Sequence, residues 1–388
     1  GFVHMTCFWL LLFLVIVAGK TCDITDYGAK GDNSTDNTKA VQAAIDDCLN
    51  GGTVSVPSGL FMTYPLQIIN AVGLNLEIEG SLVAGSRDGW PVEGGNYIDF
   101  LTISGGSGVT IKGGMLNGMG TPWYIAFDEG KLKYGRPDFV VVTGTKDFKL
   151  LHTTILNAPQ FNVYLAKTDG AEFGWVNITS QWYDGGKKEP HNTDGIDPGD
   201  NSNNIWIHDC HIDNGDDSVA VKPGSVKSGC TRDILVENSN FYHGHGCSIG
   251  SVGKGCVKNV IFRNITMTKQ ENGCRVKTYS DEAGFVTNIT WQDIKIRETG
   301  SCISVNANYK PPPKNPKYWI NVTDLHFINI DGECTSSDDA FEAVCPAASP
   351  CFGINLQNVN IRPFTHEMVC QHAHGTANNV NPKSCLKS

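Results

Sequence analysis

Asn259-Val260-Ile261-Phe262-Arg263-Asn264-Ile265-Thr266-Met267 holds two short alternating apolar pieces, Val260/Phe262 and Ile265/Met267, separated by one extra residue. Alternation of period two marks a strand, and the slip in phase means that the chain bends between the pieces. The same spacing recurs in Ile205, Ile207, Cys210 and Ile212, and in Ile289, Trp291, Ile294 and Ile296. Further copies start at Val109, Phe148, Ala171, Ile234, Leu325 and Ile354, at intervals between 23 and 39 residues. A third apolar pair follows each turn: Val219 and Val221, Cys247 and Ile249, Cys274 and Val276, Ile303 and Val305. Three or four strands per copy, coiled and stacked, predict an all-β fold, a single-stranded right-handed parallel β-helix. Equivalent residues of successive copies would then form ladders about 4.8 Å apart.

The repeat runs unbroken from about 109 to 361, so residues 20–388 read as one domain. Forty-three glycines and 18% charged residues suit tightly turning strands better than a helical bundle or a disordered chain. Ser34-Thr35-Asp36-Asn37 offers helix caps, and Val41, Ile45, Cys48 and Leu49 follow at helical spacing before Gly51-Gly52. This short helix is expected to plug the N-terminal end of the stack, whose strand edges need cover. The stretch 364–388 shows no repeat and is expected to cross the other end or trail away.

Residues 1–19 read as a signal peptide, with an apolar run from Phe8 to Ala18 and small residues before Lys20. Setting Cys7 aside leaves thirteen of the fourteen cysteines, an odd number, many closely spaced, as in Cys345 and Cys351, Cys247 and Cys256, or Cys370 and Cys385. With sequons at Asn33, Asn177, Asn264, Asn288 and Asn321, they point to a secreted, disulfide-bonded protein. A net charge of −10 argues against general affinity for nucleic acid or acidic membranes, so a polyanionic ligand must find a local basic patch. A monomer is expected.

Placing each copy by its third apolar pair sets Asp194 two residues before Ile196, Asp217 two before Val219, and His245 two before Cys247. Three ionisable groups thus share one column, joined by Asp216 beside Asp217 and by Asp197 just past Asp194. In the next copy Arg275 and Lys277 flank inward Val276, so alternation turns both outward. Carboxylates one rung apart repel each other when ionised, which raises at least one pKa and lets an acid and a base coexist. Glycosidic hydrolysis needs such a pair, and Arg275 with Lys277 would hold a carboxylate on the sugar. Each polar motif alone reads as an ordinary solenoid turn; their coincidence in adjacent rungs favours chemistry.

At these residues the chain resembles the polygalacturonases of glycoside hydrolase family 28. The matching motifs are Asn192-Thr193-Asp194, Gly215-Asp216-Asp217, Gly244-His245-Gly246 followed by Ser248-Ile249-Gly250-Ser251, and Arg275-Val276-Lys277, with the likeness running from about Cys22 to Pro363. The resemblance implies a right-handed β-helix that hydrolyses α-1,4 links between galacturonic acid units of pectin with inversion, without metal or cofactor. It implies Asp216 as general acid, Asp194 and Asp217 as activators of water, His245 as support for the acid, and Arg275 and Lys277 as holders of the substrate carboxylate. Tyr309 looks like the family's substrate-contacting tyrosine. Endo and exo action both stay open. Many relatives carry cysteine directly after the aspartate pair, where this chain has Ser218, while here Cys247 follows His245-Gly246. That puts the family's disulfide beside the site in question and makes Cys230 a candidate partner for Cys247. Tyr242-His243 before Gly244 is a further departure, expected to reshape the wall near His245.

Two rival classes fit the sequence less well. A pectate lyase would need calcium, and Asp194, Asp197 and Asp200 are too few and interrupted by Pro198-Gly199. A non-catalytic pectin-binding solenoid would be favoured by loss of a carboxylate, and all three are present. A rhamnogalacturonan hydrolase fits His245 and Arg275-Val276-Lys277 less well. Metal at His243 with His245, or at His208, Cys210 and His211, lacks a converging ligand set, and a disulfide-tied tail is preferred over zinc at His366, Cys370, His372 and His374. Lys187-Lys188 would bind substrate or solvate its loop, and Pro311 to Pro316 reads as a stiff loop beside the cleft.

Overall fold

The residue at each phase slip is what turns the chain. Trp175, Asp209, Asn238, Asn264, Asp293, Asn329, Asn358 and Asn379 occupy one column, each with φ between 50° and 56°. Asn and Asp tolerate this left-handed conformation better than other residues with a side chain, and the amides bond along the stack. Asn358 Nδ2 donates to Asn329 Oδ1 at 3.0 Å, and Asn329 Nδ2 to Asp293 Oδ1 at 2.8 Å. The slip recognised in the sequence is therefore a polar ladder on the outside of the coil.

The structure is a computed structural model that describes residues 19–311, 314, 316–335, 340–363 and 368–387. Residues 1–18 of the expected leader, Pro312 and Pro313 of the proline loop, and His366 lie outside the described residues. The chain coils into a right-handed parallel β-helix. Repeat starts Phe148, Ala171, Ile205, Ile234, Val260, Ile289, Leu325 and Ile354 pair in parallel register, one above the next. The third apolar pairs lie in a separate eleven-stranded parallel sheet, with Val219 beside Cys247, Cys247 beside Cys274, and Cys274 beside Ile303. Inside the coil, Phe262, Trp291 and Phe327 stack with centroids 5.5 and 4.9 Å apart.

The solenoid is longer than its sequence signal. Parallel pairing begins at strand Thr21–Asp23 rather than near Val109, through Thr53–Val56 and Asn75–Ile78. Those first coils join their strands by wider turns, such as Pro57-Ser58-Gly59, so the single-residue slip is absent. At the other end, Val369–Gln371 and Ala373–Asn381 pair in parallel with the preceding coil, which corrects the expectation of a tail without repeat character. Strand Ala373–Asn381 is mostly exposed, so its residues need not be apolar.

The capping helix forms over Thr38–Asp47 and buries Val41, Ala44 and Ile45. Asp36 Oδ1 accepts from the Thr38 N–H at 2.9 Å, and Gln42 exchanges hydrogen bonds with the backbone of Gln67. Cys22–Cys48 ties the helix to the first coil. Further disulfides join Cys230–Cys256, Cys302–Cys334, Cys345–Cys351 and Cys370–Cys385, leaving, among the described residues, Cys210, Cys247 and Cys274 as buried thiols. Cys230 is thus not the partner of Cys247. Alternation sends Cys247 into the core, where it lies beside Cys274, whereas Cys230 closes a surface loop with Cys256. Cys370, once bonded to Cys385, has no thiolate to offer zinc.

Trp291→Ala should remove about 3–5 kcal/mol of stability, because it empties the middle of a closed aromatic stack. Urea unfolding checks this, and a loss below about 1 kcal/mol would show that the stack contributes little.

Candidate active site

The column of ionisable groups exists as expected. Register through the eleven-stranded sheet places Asp194, Asp217 and His245 in successive coils, each two residues before the paired Ile196, Val219 and Cys247. The turns that present them interlock. Asn214 Nδ2 donates to the carbonyls of Thr193 and Asp217 at 2.8 and 2.9 Å, and Thr193 Oγ1 bonds the Pro190 carbonyl and the Gly215 N–H. Gly244 and Gly246 have φ of +68° and +91°, and a Cβ would lie 2.3 Å from the Asp216 carbonyl and 2.1 Å from that of Asn272. The glycines around His245 are therefore demanded by the turn that holds it against Asp216.

These residues line one cleft of about 270 Å³ above the outward face of the sheet, with Lys222 towards one side and Arg275, Lys277 and Tyr309 towards the other. Asp217 is fully buried. Lys277 Nζ lies 2.5 Å from its Oδ2, Ser248 Oγ donates to its Oδ1 at 2.6 Å, and the Arg275 guanidinium approaches to 4.0 Å. His245 Nδ1 is 3.2 Å from Asp216 Oδ1, while Nε2 faces Glu271 at 3.1 Å and Glu189 at 3.6 Å. Tyr309 is a cleft residue rather than a packing tyrosine: it is 41% exposed, with Arg275 and Lys277 each 5.5 Å from its ring centre.

The charge states follow from these neighbours. Burial first, and then the charges of Asp216 and Asp217, lift Asp194 to about 6, against the opposing pull of Lys222. Burial would also lift Asp216, but the hydrogen bond and charge of His245, with Lys277 and the Asp217 N–H, hold it well below the usual carboxylate range. His245 is the counterpart: burial works against its charge, yet Asp216, Glu189 and Glu271 raise it to about 11. The expected raised carboxyl is thus found at Asp194, and the proton expected on Asp216 rests on His245 in the free protein.

Lys222, Glu189 and Glu271 were missed in the sequence. Lys222 was within reach of the alternation that singled out Lys277: it follows inward Val221 as Lys277 follows inward Val276, and register puts both in one column two coils apart. Glu189 sits in the long insertion 181–191 and Glu271 in a turn, where no period applies. Asp194 and Asp197 converge on the Lys222 ammonium, at 2.9 and 3.4 Å, so a lysine stands where a calcium loop would place its ion. The trio Asp216, Asp217 and His245 has ligand atoms within 4.8 Å of one another, but a protonated His245 and the Lys277 ammonium already neutralise it. Lys188 lies 3.4 Å from Asp128, so it braces the insertion against the helix Thr121–Asp128. His243 bonds Asp213 on the outer side of that wall, beside Trp182.

The profile of glycosyl hydrolases family 28 matches residues 51–385. The chain belongs to glycosyl hydrolases family 28. An exopolygalacturonase of Zea mays is 30% identical over 95% of this chain and 90% of its own length. A polygalacturonase of Prunus persica is 28% identical over 98% and 97%. In fold, an exopolygalacturonase of Thermotoga maritima superposes with a TM-score of 0.76 at 20% identity, covering 94% of this chain and 91% of that one. A second profile, described as rhamnogalacturonase A/epimerase, pectate lyase-like, matches residues 21–76, within the first coils of this family 28 chain.

Lys277→Met should destabilise the protein by about 3–5 kcal/mol, since it strands the buried Asp217 charge. Arg275→Ala, which loses contacts of 4.0 Å, should cost about 1 kcal/mol or less. Thermal unfolding of both variants at one pH checks the order, and an equal loss would contradict it.

Proposed function

We propose that this family 28 hydrolase cleaves α-1,4-galacturonosidic links of homogalacturonan with inversion. The observation that carries this reading is one cleft in which Asp194, Asp216 and Asp217 meet His245 and are flanked by Arg275, Lys277 and Tyr309. Arg275 and Lys277 receive the carboxylate of a galacturonate. That added negative charge raises the neighbouring carboxyls and favours movement of the His245 proton across 3.2 Å onto Asp216, which passes it to the leaving glycosidic oxygen. A water on the opposite face attacks the anomeric carbon and gives its proton to Asp194, aided by Asp217. The disulfides suit the oxidising surroundings of a secreted enzyme acting on cell-wall pectin.

A second reading, trimming of chain ends, is favoured by the wall on the Asp194 side of the cleft. The Tyr183 hydroxyl bonds Asp128 Oδ2 at 2.5 Å, locking the insertion to the helix Thr121–Asp128, and Arg136, beyond that helix, bonds Asn192 Oδ1 at 3.1 Å just after the insertion. The maize relative is an exopolygalacturonase by name. Polygalacturonate digests resolved by length, with absorbance followed for unsaturated ends, test both readings. Saturated oligomers at early times mean internal cleavage, and saturated monomer alone means end trimming. Unsaturated ends would refute hydrolysis.

Asp216→Asn should lower kcat by roughly 10²–10⁴-fold without unfolding, and a variant that keeps its turnover would remove Asp216 from the reaction. Arg275→Ala should raise KM roughly tenfold or more, as expected for loss of a charged hydrogen bond. Because Asp194 accepts a proton only when ionised, kcat/KM should rise with pH through about 6. A profile flat across that range would contradict its role as base.

A further inference from the structure

Asp197, which is buried, and Lys222, which is half-buried, are ionisable groups to which the roles above assign nothing. Asp197 lies on strand Ile196–Gly199 in the column of Ser248 and Arg275, so alternation points it at the cleft, yet it has no accessible surface. Neither of its oxygens accepts a hydrogen bond; the Lys222 ammonium approaches Oδ2 at 3.4 Å. Lys222 follows strand Val219–Val221 and donates at 2.9 Å to Asp194 Oδ2. One ammonium therefore faces two carboxyls.

Two buried, ionised carboxylates against one cation would leave an uncompensated charge, and a proton on one of them removes it while creating an O–H donor. Asp197 is the group that takes it. Asp194 has the shorter contact with Lys222 and lines the cleft, whereas Asp197 is sealed. Burial, and then the Asp194 charge, push the Asp197 carboxyl well above its ordinary range, and the two side chains are within hydrogen-bonding reach. The other groups that bear on Asp194 are Asp216 and Asp217, with Asp138 further along the column; all are acidic, so Lys222 supplies the cation. Asp217 has the same device one coil on, in Lys277 at 2.5 Å.

We propose that Lys222 and a neutral Asp197 are positioning residues that hold Asp194 as the ionised, oriented base, the ammonium supplying charge and the carboxylic acid a donated hydrogen bond. The proposal rests on the hydrolytic reading of the cleft. Lys222→Met, measured on polygalacturonate, should move the acidic limb of kcat/KM upward by about one pH unit or more, and lower kcat below that limb roughly tenfold or more. KM should change little. Asp197→Ala should lose most activity, and Asp197→Asn, which donates without charge, should recover most of it. Lys222→Met that only melts earlier, with its limb unmoved, would reduce the lysine to a structural part. A large rise in KM with the limb unmoved would make Lys222 a substrate clamp instead. Infrared difference spectra at neutral pH give a readout besides activity: the carbonyl band of a protonated carboxylic acid should be present in the wild type and weaker in Asp197→Asn, where Asp138, raised to about 7 by burial, still contributes. A band absent from the wild type, or as strong in Asp197→Asn, overturns the neutral Asp197. Failure of the wild type to cleave polygalacturonate would sink the hydrolytic reading while leaving the infrared result to decide the state of Asp197.

Discussion

The register between coils is the constraint on which this molecule depends. Each coil buries its apolar residues against the same residues of the next, and a slip by one position would turn every inward side chain outward. The stacked columns of Phe262, Trp291 and Phe327, and of Val219, Cys247 and Cys274, therefore also decide what lies on the outer face. Asp194, Asp217 and His245 meet because they stand at one offset from residues that must stack. Their own turns, fastened by Asn214, Thr193 and two glycines, refine a meeting that the core has arranged.

The same scaffold gathers like charges and must then neutralise them. Asp194, Asp197, Asp216 and Asp217 share a small volume, and each buried carboxylate would be expensive alone. The cleft answers with Lys222, His245, Arg275 and Lys277, drawn from three successive coils. The outcome is uneven. His245 keeps its proton while Asp216 is held ionised, and Asp194 lies close to the middle of its titration in weakly acidic solution. Cations of this kind suit an anionic sugar polymer, since a substrate carboxylate enters a field already set to receive it, although the chain as a whole carries a net charge of −10.

Much of this was legible in the sequence wherever periodicity applied. The alternating pieces, the slip residue and the third apolar pair specify the coil, and their offsets located Asp194, Asp217, His245, Arg275 and Lys277. The first coils escaped because their turns are wider, and the last because a strand exposed along most of its length is free to be polar, as Ala373–Asn381 is. Lys222 obeyed the same alternation as Lys277 and went unread, being set apart from the recognised motifs. Glu189 and Glu271 come from irregular segments, whose side chains converge on His245 only through the fold. The Cys230–Cys247 pairing failed because the choice between core and loop lies in which way each cysteine faces, and Cys247 faces inward.

The most direct test is the stereochemistry of the first turnover on polygalacturonate, followed by proton NMR before the product anomers equilibrate. New reducing ends should appear first as the β-anomer, as expected when one carboxyl protonates the leaving oxygen and another activates water on the opposite face of an α-linked sugar. Initial release of the α-anomer would mean a covalent intermediate, and would contradict the division of labour between Asp216 and the pair Asp194 and Asp217.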